Sequence, residues 1–176
     1  MFQLLYDPVS EIKKAKKQCY APIILYLVAA ALFETAGLLF FGWRLFSTWL
    51  KPHVLAYGIA GTFFALILIH LVVALFFTVA MHVLDGKGGY YEGLTTLVLA
   101  MVAPAITTFF AGAASFVPYG SGASAVLLAY GYILGTATLF RSGKELFELD
   151  YAGVLIGFLI TAVTLGLSFS LFISLR

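Results

Sequence analysis

The side chains with the chemistry to hold a proton or a polar ligand in an apolar setting are Glu34, His70 and His82. Glu34 stands midway through the apolar run Ala21–Trp43. An acidic residue at the centre of a bilayer costs about 2.5–3.5 kcal/mol on insertion scales, so it is expected to face protein or water and is a functional candidate by default. Ala30 and Ala31 lie one turn before it and Gly37 one turn after. Small residues on that side let another helix approach. Glu34 is therefore expected to face a helix bundle in its neutral form, either as a hydrogen-bonded structural group or as a proton carrier.

His70 falls near the middle of the run Val54–Val83, and His82 falls near its end. With Ala74 and Thr78 they share an arc of about 120° on a helical wheel. The two histidines are roughly 18 Å apart along a helix, too far for one metal ion, whose paired ligands on a helix need i, i+4 spacing. His70 is expected either to pack as a hydrogen-bonded residue or to titrate with Glu34. The two runs are antiparallel, which puts His70 nearer the inner surface than Glu34, so helix tilt must close the gap. His82 reads as an interfacial residue. The lone Cys19 excludes an internal disulfide and a multi-Cys metal site. HExxH, GxSxG and GxxxxGK[ST] are all missing from the sequence. No catalytic residue, metal or cofactor is expected.

The last two runs carry a stripe of small residues. Gly153, Gly157, Thr161, Thr164 and Ser168 fall within an arc of about 80°, and Ser124, Gly131, Gly135 and Thr138 within about 60°. Gly131/Gly135 and Gly153/Gly157 each form a GxxxG, the small-residue pattern of close helix contact. Packing is the favoured role, with a polar-lined conduit as the alternative. Pro104 lacks an N–H and is expected to kink its helix, with Thr107 and Thr108 placed to satisfy the freed backbone.

What must position these residues is a membrane bundle. The 176 residues are 62% hydrophobic and only 10% charged, whereas a soluble domain carries roughly 25% charge. So much apolar surface requires lipid as the solvent. The net charge of +2 is too small to suggest nucleic acid. About 20 apolar residues cross a ~30 Å core, and five runs qualify, at about 21–43, 54–83, 91–117, 123–140 and 151–175. The fourth is the shortest, with a re-entrant hairpin as its alternative. The breaks carry turn chemistry: Lys51-Pro52-His53, Asp85-Gly86-Lys87-Gly88-Gly89, Pro118 to Gly122, and Arg141-Ser142-Gly143-Lys144 to Asp150.

Residues 1–20 predict an amphipathic helix on the membrane surface, with Asp7 as N-cap and Pro8 at its first position. Lys13, Lys14, Lys16 and Lys17 would contact anionic headgroups. No signal peptide is visible, so the first run is expected to stay as an anchor. With the N-terminus inside, the inner segments hold Lys13, Lys14, Lys16, Lys17, Lys87, Arg141 and Lys144. The outer ones hold only Arg44, Lys51 and Arg176, which predicts N-terminus in and C-terminus out.

Three stretches in this order resemble the Ypt-interacting protein (Yip) family of five-span membrane proteins. They are Leu4-Leu5-Tyr6-Asp7-Pro8 through Ile12, Gly86-Lys87-Gly88-Gly89-Tyr90-Tyr91 leading to Pro104, and Tyr130-Gly131-Tyr132-Ile133-Leu134-Gly135 followed by Ala152. The sequence departs from the family in lacking the long acidic, Pro-rich domain of eukaryotic members. It also has Ala100 where many relatives place an aromatic. The resemblance implies a cytoplasmic N-terminus, five spans and self-association. Its eukaryotic members engage prenylated Rab-type GTPases, but the short N-terminus looks like the minimal form of prokaryotic cell membranes, to which Rab binding does not transfer.

The expected fold is thus all-α, with five spans in residues 21–176 behind a surface helix. The expected function is non-enzymatic organisation of membrane lipids or protein partners, as a homo-oligomer with an unidentified cytoplasmic partner. The rival is a small oligomeric channel or proton-coupled transporter using Glu34 and His70.

Overall fold

In the computed structural model, which describes Ile12, 20–46 and 52–174, every element among the described residues is an α-helix. The expected surface helix, with Lys13, Lys14, Lys16 and Lys17, lies outside the described residues except for Ile12. That residue is helical and 2% exposed, with its side chain in the protein core.

Five helices follow: α1 (Tyr20–Phe46), α2 (Pro52–Val83), α3 (Tyr90–Ala114), α4 (Gly120–Phe147) and α5 (Tyr151–Ser174). Each contains a stretch long and apolar enough to cross a membrane. Helices are the natural outcome for such runs, because lipid offers backbone N–H and C=O groups no partner and a helix satisfies them internally.

Local chemistry sets the ends. Helix α2 stops where Asp85 turns left-handed at φ 62°, and Gly86 N–H returns to the Met81 carbonyl at 2.9 Å, a common helix stop. Helix α3 starts where Glu92 Oε2 accepts the Gly89 N–H at 2.7 Å, the reach-back arm of a capping box. Helix α5 starts where Asp150 Oδ1 accepts the Gly153 N–H at 2.6 Å.

Helix α4 continues beyond the apolar run that announces it, as far as Phe147. The Arg141-Ser142-Gly143-Lys144 stretch, expected as a break, is helix. Ser142, Gly143, Leu146 and Phe147 are buried, while Arg141, Lys144 and Glu145 face outward. Gly143 permits close approach here, since a Cβ would lie 2.8 Å from Val154 of α5.

The core sits around α3, whose span is 67% buried against 17% for α5. Val98, Val102 and Ile106 are sealed inside it. At the α1–α3 crossing, a Cβ on Gly37 would meet the Thr108 backbone at 2.6 Å, and one on Gly112 would meet the Gly37 carbonyl oxygen at 2.7 Å. Phe33 packs edge-on against Phe109 beside this crossing.

The α2–α3 and α4–α5 turns meet at one end of the bundle. Lys87 N–H donates to the Phe147 carbonyl at 3.0 Å, and Lys87 Nζ pairs with Glu148 at 3.0 Å. Beneath them the rings of Phe77 and Phe147 meet edge to face, with centroids 5.8 Å apart. At the opposite end Phe40 of α1 meets Phe116 after α3.

Candidate functional site

His70 is half-buried in the middle of α2. Its Nδ1 lies 2.6 Å from the Leu66 carbonyl oxygen, one turn back on the same helix. Glu34, half-buried on α1, is close enough for its charge to interact with that of His70. The two intramembrane titratable groups thus stand on contacting helices, α1 and α2. The nearest approaches on Glu34's own helix are apolar: Ala30 and Ala31 are fully buried, and Gly37 seats against α3.

Beside His70 a cavity of about 330 Å³ opens between α2, α3, α4 and α5. Leu97, Met101 and Leu139 supply hydrocarbon to its wall, and Phe158 contributes from α5. Ala100 and Pro104 of α3 line it together with Gly135 of α4. Pro104 offers no N–H to the Ala100 carbonyl. Thr107, expected to compensate, donates instead to the Ala103 and Pro104 carbonyls at 3.0 Å. The Ala100 oxygen faces Gly135, where a Cβ would lie 2.6 Å away. Tyr132 and Thr136 complete the wall, and Thr136 Oγ1 donates to the Tyr132 carbonyl at 2.8 Å.

The other site residues separate from this centre. His82 is exposed at the end of α2, and its Nε2 donates to the Gly88 carbonyl, bracing the α2–α3 turn. Gly131 is buried against α3, where a Cβ would strike Thr107. Gly157 seats against Met81 of α2, whereas Gly153 lies in the capped first turn of α5. Thr161, Thr164 and Ser168 each donate to a carbonyl one turn back on their own helix, at 2.8 Å. Ser124 bonds both Gly120 and, across to α3, Ala111. The two small-residue stripes thus face different neighbours: α4 addresses α3, and α5 addresses α2. Among the described residues, no three His, Cys, Asp or Glu side chains gather as a metal site would require.

Two further cavities, of about 420 and 470 Å³, lie between α1 and α2 and share Leu39 and Ile59. Their walls are aromatic and aliphatic apart from Thr35, whose buried hydroxyl has no hydrogen-bond partner.

Tyr132, Thr136 and Ala100 are wall residues that sequence reasoning did not single out as lining a cavity with His70. Pro104 was the available signal, since a proline in a span always leaves one carbonyl without its helical partner. Comparison with protein-family models, with curated proteins and with solved structures returned no match.

Proposed function

We propose that this chain is a non-enzymatic integral membrane protein that arranges lipids and protein partners within the bilayer. The observation that carries this reading is the character of its cavities. They lie between helices and are walled almost wholly by carbon, an environment that dissolves hydrocarbon and repels ions. The hydroxyls of Thr161, Thr164 and Ser168, which a polar conduit would need, are bonded to their own helix.

Self-association fits the broad apolar faces that α2 and α5 present outward, such as Leu68, Val72 and Leu75 on α2 and Leu159, Val163 and Leu167 on α5. A Yip-like identity is part of the same proposal, supported by the order of the three sequence stretches. So is a cytoplasmic N-terminus in a prokaryotic cell membrane, supported by the lysine and arginine bias. In that orientation the joined turns at Lys87 and Glu148 face the cytoplasm and offer a surface to a protein partner.

The electrostatic interaction of Glu34 with His70 favours a second reading, a small oligomeric channel or proton-coupled transporter. One preparation separates the two. Protein purified in mild detergent is expected to retain bilayer lipid detectable by mass spectrometry and, in liposomes, to pass no protons under a pH gradient. Proton flux that disappears in Glu34→Gln, from protein carrying no lipid, would overturn the first reading in favour of the second.

A further inference from the structure

The polar groups around the cavity beside His70 are nearly all acceptors. A backbone carbonyl can only accept, so the proton between His70 and Leu66 sits on Nδ1. In the neutral ring this leaves Nε2 with an open lone pair, and no described residue hydrogen-bonds it. Thr136 gives its own proton to the Tyr132 carbonyl, so its oxygen has only lone pairs to offer the cavity. The Ala100 carbonyl, deprived of a helical partner by Pro104, faces Gly135 of the same wall. Tyr132 is the one lining residue with a side-chain proton left to donate. Glu34 interacts with His70 but does not line the cavity.

Acceptors left unpaired in hydrocarbon are costly, so this wall selects for a guest that donates. A hydroxyl does so and can also accept from Tyr132. Esters, ethers and ketones bring only further acceptors. The volume of about 330 Å³ is at the small end of ligand sites, roughly 300–1,000 Å³, enough for a head and its first carbons. The exposed flanks of Tyr132 and Phe158 leave a way out between helices for a longer tail.

We propose that the cavity binds a lipid alcohol, its hydroxyl donated to His70 Nε2 and its chain lying along Leu97, Met101 and Phe158. This rests on the lipid-arranging reading and gives it a ligand class.

The test uses the full chain in phosphatidylcholine nanodiscs with a long-chain alcohol that carries a photoreactive diazirine close to its hydroxyl. Labelling is expected in the α2 peptide holding His70 or the α4 peptide holding Tyr132. The unlabelled alcohol should compete at least tenfold better than its methyl ether or the matching fatty acid. His70→Phe keeps an aromatic ring and removes the acceptor, and should weaken labelling about 3–10-fold, the worth of one hydrogen bond. Val73→Phe should fill the cavity and suppress labelling. Tyr132→Phe, which removes the one donor to the ligand hydroxyl from the exposed side of α4, supplies the readout if His70→Phe does not fold, with a loss of about threefold.

Equal competition by alcohol and ether would overturn the assignment. So would a fatty acid that outcompetes the alcohol, or labelling unmoved in the variants. If any of these holds while phospholipid still co-purifies, the site falls and the lipid-arranging reading stands. If the protein carries no lipid and shows Glu34-dependent proton flux, both fall.

Discussion

At the scale of single residues, the glycines divide by what surrounds them. Beside Gly135 stand a backbone oxygen at 2.6 Å and the Pro104 ring at 2.7 Å from an added Cβ, neither of which can rotate away. Beside Gly131 stands the Thr107 side chain, whose hydroxyl can turn only by leaving the Ala103 and Pro104 carbonyls. Gly166 has open space around it. Gly135→Ala is therefore expected to lose about 1–3 kcal/mol or more by overpacking, as read by thermal unfolding in detergent. Gly131→Ala is expected to lose less and to recover part of that loss when combined with Thr107→Ala. Gly166→Ala is expected to be neutral or to gain up to about 1 kcal/mol from helix propensity. Glu34→Gln keeps hydrogen-bonding capacity in a neutral amide, and its unfolding is expected to stay within about 1 kcal/mol of the parent. A collapse of the fold in Glu34→Gln would show that the carboxyl is needed as an acid. The candidate residues Glu34 and His70 were legible in the sequence because an ionisable group inside an apolar run is rare and costly. The cavity beside His70 was not legible, because it depends on where four helices cross, and no local pattern encodes that.

At the scale of elements, the five apolar runs were readable because length and hydropathy alone decide whether a segment can cross a bilayer. The end of α4 was not. Ser142 and Gly143 look like a turn in sequence, yet both are buried, with Gly143 making room for Val154. Glycine served close approach there, and only the neighbouring helix distinguishes that use from a chain reversal. The clamp this extension forms is expected to be held by apolar contact more than by charge. Phe147 is fully buried against Phe77, so Phe147→Ala should cost about 3–5 kcal/mol. The Lys87–Glu148 pair is largely in the open, so Lys87→Ala should cost at most about 1 kcal/mol. Urea or thermal titrations of the two variants would rank them, and the reverse order would mean that the ion pair holds the turns together.

For the whole molecule, the testable statement is which ends share a side. Single cysteines placed at Asp85 and Glu148, in a background where Cys19 is Ser, are expected to react with an impermeant maleimide from one face of the membrane. A cysteine at Tyr119 is expected to react only from the other. With the N-terminus inside, the first two label from the cytoplasm, and labelling of Tyr119 and Glu148 from the same face would mean that α4 does not span. The arrangement also bears on how this protein can change over evolutionary time. Helix α3 is enclosed on most sides while α5 shows most of its surface to lipid. Nearly any apolar exchange on the exposed face of α5 should pass selection, whereas α3 and the glycines seated against it, Gly37 and Gly135, leave little room for drift. Distant descendants of one ancestor would then keep the spacing of those few small residues and of Pro104 long after their hydrophobic runs had lost all recognisable likeness.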